Sequence, residues 1–352
     1  MSQKRVTLGL PHLKNYPASD SFMSKIDTTA LGVKPKEKYR LTNWSAYNAG
    51  LKQRGSLTLW LSEDVAQQWY HQGQRQKGGQ FIYANNCILL LLTLKVTFKL
   101  PFRQLEGFAC SLMELLQVDL QIPDYSQICR RQNGLSVPIG LDKRLLGEPV
   151  HLLIDSSGLK VYGEGEWKVR QHGVGKRRTW RKLHLAVDEK TGQILAQRLT
   201  DKETDDASQL PELVAEGQKT VASVSKVGAD GSYDTFDTYQ YLIKAQIEPI
   251  IPPRMNAAWW VDQNDVLLDH PRNRALEQID QGGLNVNRKQ WKKDSGYHRR
   301  SKVENAFFRW KTIHGPGMYA RKIHNQQTEA ALKVAVLNRF IRIAPPRAVK
   351  VA

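Results

Sequence analysis

Near its C-terminal end the chain contains the segment YHRRSKVENAFFRWK, residues 297–311. In a helix, successive side chains are rotated by about 100°, so four polar positions of this segment would fall within roughly 60° of arc. These positions are Tyr297, Arg300, Glu304 and Lys311. Val303, Ala306 and Trp310 fall on the opposite side, where they can pack against a core. The segment therefore predicts an amphipathic helix whose polar face places one carboxylate among basic groups.

The chemistry of this face suits a metal-bound phosphodiester, with the carboxylate on the cation and the basic groups on phosphate oxygens. A solvated amphipathic helix with an incidental row of charges explains the spacing equally well. Spacing alone therefore leaves both interpretations open.

The composition favours a polyanionic partner. The 352 residues include 52 Lys and Arg against 34 Asp and Glu, which gives a net charge of +18. The three cysteines contain no CxxC pair, which argues against a zinc site and against a disulfide framework. The most apolar run, residues 87–94, is too short to span a bilayer. We expect a soluble, intracellular protein that does not associate with membranes.

The sequence predicts three parts. Residues 1–40 read as a basic N-terminal arm, residues 41–145 as a mainly α-helical domain, and residues 146–345 as an α/β domain. Strands, helices and turns alternate in the last part, which predicts a mixed sheet flanked by helices. An insertion is expected at about 252–290.

Within the helical part, residues 102–116 and the segment after Pro123 predict two neighbouring helices. The short link between them resembles a helix-turn-helix, whose second helix would present Gln127, Arg130, Arg131 and Gln132 to a DNA groove. Many helical pairs look like this without touching DNA.

Within the α/β part, two carboxylates follow strand-like runs. Residues 150–155 predict a strand that ends at Asp155 before a Ser-Ser-Gly turn, and residues 225–230 predict a strand that ends at Asp230. Side chains at strand ends point into the crevice where ligands bind, so these aspartates could converge with Glu304. Carboxylates close together need cations, and oxygen ligands select Mg²⁺ or Mn²⁺. Each aspartate taken alone is more simply a turn residue that caps the next segment.

These residues resemble a known family. The spacing of Tyr297, Arg300, Glu304 and Lys311 matches the Y-(2)-R-(3)-E-(6)-K signature of DDE transposases from bacterial insertion sequences. Within that family, the chain most resembles the insertion-sequence-five group. The segments LLIDSSG around Asp155 and VGADGSY around Asp230 resemble the two aspartate motifs of that family, and RKLHLAVD at 181–188 resembles its second strand. The resemblance covers roughly residues 146–345.

The resemblance implies an RNase H-like catalytic core preceded by a DNA-binding domain. Asp155, Asp230 and Glu304 would hold two Mg²⁺ or Mn²⁺ ions and catalyse cut-and-paste transposition at the terminal inverted repeats and at target DNA. Arg300, Lys311 and Tyr297 would contact the DNA strand. A homodimer in the DNA complex and a prokaryotic cytoplasm, near the nucleoid, are also implied. The rivals are a transposase-derived DNA-binding regulator and an RNase H-fold nuclease without strand transfer.

Two weaker features suggest further DNA contacts. Trp259 and Trp260, in the expected insertion, could stack on a flipped base, although pinning the insertion to the core is the simpler role. The basic run Lys176, Arg177 and Arg178 could contact the DNA backbone, although a solvated sheet edge is its ordinary explanation. His172 and His184 lack a second imidazole at ligand spacing and are expected to be structural or to face DNA.

Overall fold

The structure is a computed structural model that describes residues 38–56, 66–74, 82–146, 149–162, 179–221, 223–280 and 287–351. The chain divides into two compact units, one formed by the two ends of the chain and the other by residues 43–346. Among the described residues, no helix combines the length and the apolar character needed to cross a bilayer.

The smaller unit contains a two-stranded antiparallel ribbon. Strand β1 (Lys38–Leu41) pairs with β7 (Ala348–Val351), with Lys38 opposite Val351. Residues 38–40 of the expected basic arm are therefore part of a strand, and residues 1–37 lie outside the described residues.

The N-terminal part of the larger unit is helical, as predicted. Its described helices are α1 (Trp44–Gln53), α2 (Asn85–Phe98), α3 (Phe102–Leu115) and α4 (Tyr125–Arg131). Helix α2 is the core of this part, because its Leu-rich run is buried on nearly every side. Leu332, Val336 and Phe340, from the long C-terminal helix, complete the same core. The helical and α/β parts thus belong to one compact unit, and a boundary near residue 145 stays a prediction.

The predicted helix-turn-helix is wrong in its geometry. Residues 116–124 separate α3 from α4, whereas the motif has a turn of about three to four residues. Arg131 donates to the carbonyl of Tyr83 and, at 2.6 Å, to the side chain of Asn85. Gln132 is buried. Of the residues expected to face a groove, Arg131 and Gln132 therefore hold the fold together, while Arg130 is exposed.

The α/β part is built on a five-stranded mixed sheet. Its strands are β2 (Val150–Tyr162), β3 (Thr179–Asp188), β4 (Ile194–Asp201), β5 (Val224–Gly228) and β6 (Glu248–Ile250). The spatial order is β4-β3-β2-β5-β6, in which the first three strands are antiparallel and β5 and β6 run parallel to β2. This arrangement confirms the expected RNase H-like mixed sheet flanked by helices.

The Ser-Ser-Gly sequence predicts that β2 ends at Asp155, but the strand continues beyond it. It continues to Tyr162 because the hairpin partner β3 pairs with it along most of its length, with Ser156 opposite His184 and Gly158 opposite Lys182. Ladder pairing thus overrides the local turn propensity. Asp155 lies in the middle of a strand instead of at its end.

Helices cover both faces of the sheet. The described helices of this part are α5 (Leu210–Gln218), α6 (Phe236–Lys244), α7 (Pro271–Ile279), α8 (Arg288–Asp294), α9 (Ser301–His314) and α10 (Ile323–Ile343). Leu152 and Ile154 of β2 pack in the same core as α5 and α6, whereas Leu153 packs in the core with α9 and α10. Because side chains alternate along a strand, Asp155 faces the side that α9 covers.

Helix α7 lies in the expected insertion and α8 begins near its end, while residues 281–286 are outside the described part of the chain. A buried ion pair ties the insertion to the segment between β5 and α6: Arg272 on α7 donates to Asp234 at 2.7 Å, and both side chains are almost fully buried.

Candidate active site

The register of the sheet places Asp230 beside Asp155. Strand β5 pairs in parallel with β2 through Leu152 opposite Val227 and Leu153 opposite Gly228, and then ends. Asp230 follows the last paired residue of β5 by two positions and lies close enough for its negative charge to act on the Asp155 carboxyl. The parallel neighbour of β2 stops short of Asp155, so β5 does not pair with this position of β2.

Asp230 follows β5 and caps the next turn. Its carboxylate accepts a hydrogen bond from the backbone N–H of Ser232 at 2.8 Å, at the start of a short 3₁₀ helix, Gly231–Tyr233. The capping role considered for an isolated aspartate is thus present. It leaves further lone pairs of the carboxylate available, because an ionised carboxylate accepts about four hydrogen bonds.

Helix α9 brings the third carboxylate to the sheet. The segment Tyr297–Arg300 is a 3₁₀ helix and the α-helix begins only at Ser301, so the predicted single α-helix is wrong over its first turn. Val303, Ala306 and Trp310 are buried against the sheet, as the spacing predicted. Glu304 consequently lies on the open side of α9.

Arg300 joins two of the carboxylates. Its Nη1 donates to Oδ2 of Asp155 at 2.8 Å, and its Nη2 donates to Oε1 of Glu304 at 2.7 Å. The guanidinium also lies 5.9 Å from the centre of the Tyr297 ring, within reach of a cation–π contact. The structure thus brings Asp155, Asp230, Glu304, Arg300 and Tyr297 together, residues that span about 150 positions of sequence.

Burial and charge act on these groups together. Burial raises the pKa of the Asp155 carboxyl, the Arg300 guanidinium offsets part of that rise, and the negative charge of Asp230 adds to it. Burial also raises the pKa of Tyr297, with Arg300 again acting in the opposite direction. For Arg300, burial lowers the pKa, but Tyr297, Asp155 and Glu304 outweigh this effect and hold the pKa above its usual value. The guanidinium therefore stays charged and acts as an internal counter-ion.

The donor set fits a divalent cation of the Mg²⁺ type, because Asp155, Asp230 and Glu304 offer only carboxylate oxygens. Within the part of the chain that the structure describes, no three such side chains are already arranged as a metal site. The Arg300 guanidinium bridges Asp155 and Glu304, so it is the cation that these two carboxylates share in this structure.

Other predicted site residues lie elsewhere. Lys311 is exposed on α9, about two turns or 10 Å along the axis from Glu304. Trp260 packs against Phe236 and His270, with ring centres 5.3 and 4.7 Å apart, and under the Arg272 guanidinium at 4.3 Å. Trp260 therefore packs the insertion against the core, which is the simpler of its two expected roles, and its stacking on a base stays a prediction.

The remaining predicted residues either lie outside the described part of the chain or have a single clear environment. Lys176, Arg177, Arg178 and His172 lie outside the described residues. Trp259 is 39% exposed, which leaves part of its ring accessible, and its stacking on a base stays a prediction. His184 is fully buried and lies 2.8 Å from the Thr200 hydroxyl, which makes it structural.

Sequence reasoning missed a residue that holds α9 in place. Glu189, in the turn between β3 and β4, accepts from Lys302 at 2.7 Å through its carboxylate and at 2.8 Å through its backbone carbonyl. Arg299 lies 3.4 Å from the other carboxylate oxygen. Glu189 thus anchors Arg299 and Lys302, which lie on either side of Arg300 and Ser301 in the sequence. Nothing near Glu189 in the sequence signals this role.

The sequence comparison identifies the family. A family model described as Transposase DDE domain matches residues 146–339, which is more than half of the chain, and a second model with the same description matches residues 52–164.

Two solved structures are similar to this chain at low TM-scores. The piggyBac transposase synaptic complex with hairpin DNA has a TM-score of 0.38 and 11% identity, over 86% of this chain and 77% of that chain. The simian T-cell lymphotropic virus intasome in complex with the PP2A regulatory subunit B56 gamma has a TM-score of 0.23 and 14% identity, over 52% and 69%. It is the family-model match over residues 146–339 that identifies this chain as a member of the DDE transposase family.

Proposed function

We propose that this chain is an insertion-sequence transposase that binds terminal inverted repeats and carries out cut-and-paste DNA transposition. The observation that carries the proposal is the contact of Arg300 with both Asp155 and Glu304, beside Asp230, in a chain of net charge +18. The signature spacing from Tyr297 to Lys311 supports placement in the Y-R-E-K branch and the insertion-sequence-five group.

DDE transposases generally use divalent metal ions. In this chain Asp155, Asp230 and Glu304 would hold two Mg²⁺ or Mn²⁺ ions. When bound, such ions activate a water or a 3′-hydroxyl and stabilise the leaving oxygen of an in-line displacement at phosphorus. The carboxylates come from β2, from the turn after β5 and from α9, so sheet register and helix packing together set their spacing.

The basic residues of the site have a separate task. Arg300, once released from Asp155 and Glu304, can form a bidentate contact with phosphate oxygens, for which its planar fork is suited. Lys311, farther along the same face of α9, would hold the strand by a second phosphate, and Tyr297 would orient Arg300 through its ring. These contacts position the scissile phosphate beside the three carboxylates.

The helical part would recognise the ends of the element. Arg130 is the residue of α4 best placed for this, because it is exposed, whereas Arg131 is engaged with Tyr83 and Asn85. Trp259 and the basic run Lys176, Arg177 and Arg178 would add DNA contacts near the site. Two protomers would pair the two ends in the DNA complex, inside a prokaryotic cell and near its nucleoid.

The test is a set of amide variants, Asp155→Asn, Asp230→Asn and Glu304→Gln, with Asp119→Asn as a matched control at an exposed position of the helical part. The substrate is a plasmid that carries the gene with its flanking DNA. We expect Mg²⁺-dependent nicking to disappear in the three variants and persist in the control, while DNA binding in Ca²⁺ changes less than about threefold. Full nicking by all three variants would refute the assignment.

A second assay separates transposition from its rivals. A pre-cleaved end with a free 3′-hydroxyl is incubated with wild-type protein, Mg²⁺ and target plasmid. Joining of the end to the plasmid is expected. Nicking without joining would indicate a nuclease, and binding without either reaction would indicate a regulator.

A further inference from the structure

One aromatic side chain on α9 is mostly exposed to solvent. Phe308 is 69% exposed, which makes it the most exposed aromatic residue of the described chain, ahead of Trp44 at 59% and Tyr319 at 57%. Its sequence neighbour Phe307 is buried in the core between α9 and the sheet. Helix α9 therefore already buries a full apolar face, and Phe308 is not part of it.

Phe308 continues the row of active-site residues. It lies four residues after Glu304 and three before Lys311, so on an α-helix it falls within the same arc as both. Arg300, Glu304, Phe308 and Lys311 then follow one another along one face. Of these positions, only Phe308 offers a flat apolar surface.

The surroundings of Phe308 indicate which partner it fits. The residues three and four positions away on the helix are polar and exposed: Glu304, Asn305, Lys311 and Thr312. A single ring among polar and charged groups is not an apolar patch of the kind that marks a protein interface. An exposed aromatic ring beside a lysine, on a surface where a DNA backbone is expected, is instead the combination that binds unpaired bases by stacking.

We propose that the Phe308 ring stacks on an unpaired base of the DNA strand that lies along α9. The proposal rests on the proposed function, since it requires a DNA strand at the site. Lys311 would hold the backbone of that strand while Phe308 supports the base. A base that has lost its pairing partner near the cleaved bond would keep its place through this contact.

The test uses a forked duplex whose unpaired 3′ arm carries 2-aminopurine at one position at a time, with Ca²⁺ in place of Mg²⁺ so that cleavage does not interfere. Wild-type protein should quench 2-aminopurine at one arm position. Phe308→Ala should abolish that quenching and weaken binding of the fork by about 5- to 150-fold, the range for one base–aromatic stack. Phe308→Trp should restore both, and Trp44→Ala, the matched exposed aromatic on α1, should change neither.

Two results would overturn the proposal. One is a Phe308→Ala protein that quenches the probe and binds the fork as the wild type does. The other is a Phe308→Ala protein whose oligomeric state changes by light scattering while its affinity for the fork does not, which would assign the ring to a protein contact. Because the assay measures binding without cleavage, its failure is distinct from failure of the proposed function, which the amide variants of the three carboxylates test.

Discussion

Arg300 donates to Asp155 at 2.8 Å from a position 145 residues farther along the chain, and the same guanidinium donates to Glu304 at 2.7 Å. A single internal cation therefore connects β2 to α9 and compensates two of the three carboxylates. The contact holds the two elements together, and under the proposed function it would compete with a metal ion for the same carboxylates. The proposed function therefore predicts that Arg300 leaves this position when metal and phosphate bind.

Replacing Arg300 should strengthen metal binding by the free protein. Arg300→Gln removes the resident cation and leaves Asp155 and Glu304 free to coordinate, so we expect the apparent affinity for Mn²⁺ without DNA to rise about tenfold, or ~1.4 kcal/mol. Arg300→Lys should give an intermediate value. The measurement is a Mn²⁺ titration followed by electron paramagnetic resonance. Arg299→Gln is the control, because Arg299 contacts Glu189 instead of the three carboxylates. Weaker Mn²⁺ binding by Arg300→Gln would contradict competition between the two cations.

Glu189 should control the rate of nicking without contacting DNA. Glu189→Ala releases Lys302 and Arg299, so the start of α9 loses its anchor and Glu304 its fixed position. We expect the single-turnover nicking rate to fall at least about tenfold, the scale on which misplaced catalytic groups lose activity, while DNA affinity is unchanged. Glu189→Asp should recover part of the rate. An unchanged nicking rate in Glu189→Ala would show that packing alone positions α9.

The two adjacent tryptophans of the insertion should behave differently. Trp260→Ala removes a ring that packs against Phe236, His270 and Arg272, so we expect a loss of about 3 kcal/mol in the free energy of unfolding. Trp259→Ala, at a 39% exposed position, should cost less than about 1 kcal/mol. Urea unfolding followed by circular dichroism measures both. Equal losses would contradict the assignment of Trp260 to the core.

Two buried histidines should make the fold sensitive to acid. Burial lowers the pKa of His184 to about 4, although Asp206 opposes the shift, and burial likewise lowers the pKa of His314 to about 4. The unfolded histidine has a pKa of about 6.5, so between pH 6.5 and pH 4 the unfolded state binds more protons than the native state. The free energy of unfolding is therefore highest above pH 6.5 and falls as the pH is lowered.

We expect each of these histidines to contribute about 1 kcal/mol to the loss of stability between pH 7 and pH 5.5. His184→Gln should therefore lose about 1 kcal/mol less than the wild type over this interval, as measured by urea unfolding at the two pH values. The same pH dependence in both proteins would mean that His184 is not held neutral in the native state.

Local patterns predicted the elements of the site better than the contacts within it. Helix α9 was predictable because Val303, Ala306 and Trp310 repeat at helical spacing, and the β3–β4 hairpin because a turn sequence separates two apolar runs. The continuation of β2 through Ser156 and Gly158 was not predictable, because it depends on pairing with β3. For the same reason the contacts of Arg131 with Tyr83 and Asn85 could not be inferred from the sequence.

Residues that act through tertiary contacts leave little or no signal in the amino-acid sequence. Arg300 was expected to bind phosphate, but its contacts with Asp155 and Glu304 depend on the way α9 packs on the sheet. Glu189 lies 113 residues before Lys302, in a turn whose sequence signals only a turn. Phe308 did leave a signal, because extending the row from Glu304 to Lys311 by helical spacing passes through it.

The central claim is that Asp155, Asp230 and Glu304 jointly hold the divalent ions. The most direct measurement is the anomalous diffraction of Mn²⁺ in crystals of the protein bound to DNA that carries its terminal repeat. The account predicts Mn²⁺ peaks within about 2.5 Å of carboxylate oxygens from all three residues, with Arg300 moved away from Asp155 and towards a phosphate. Mn²⁺ bound elsewhere, with the three carboxylates still more than about 10 Å from any shared ion while DNA lies in the site, would contradict it.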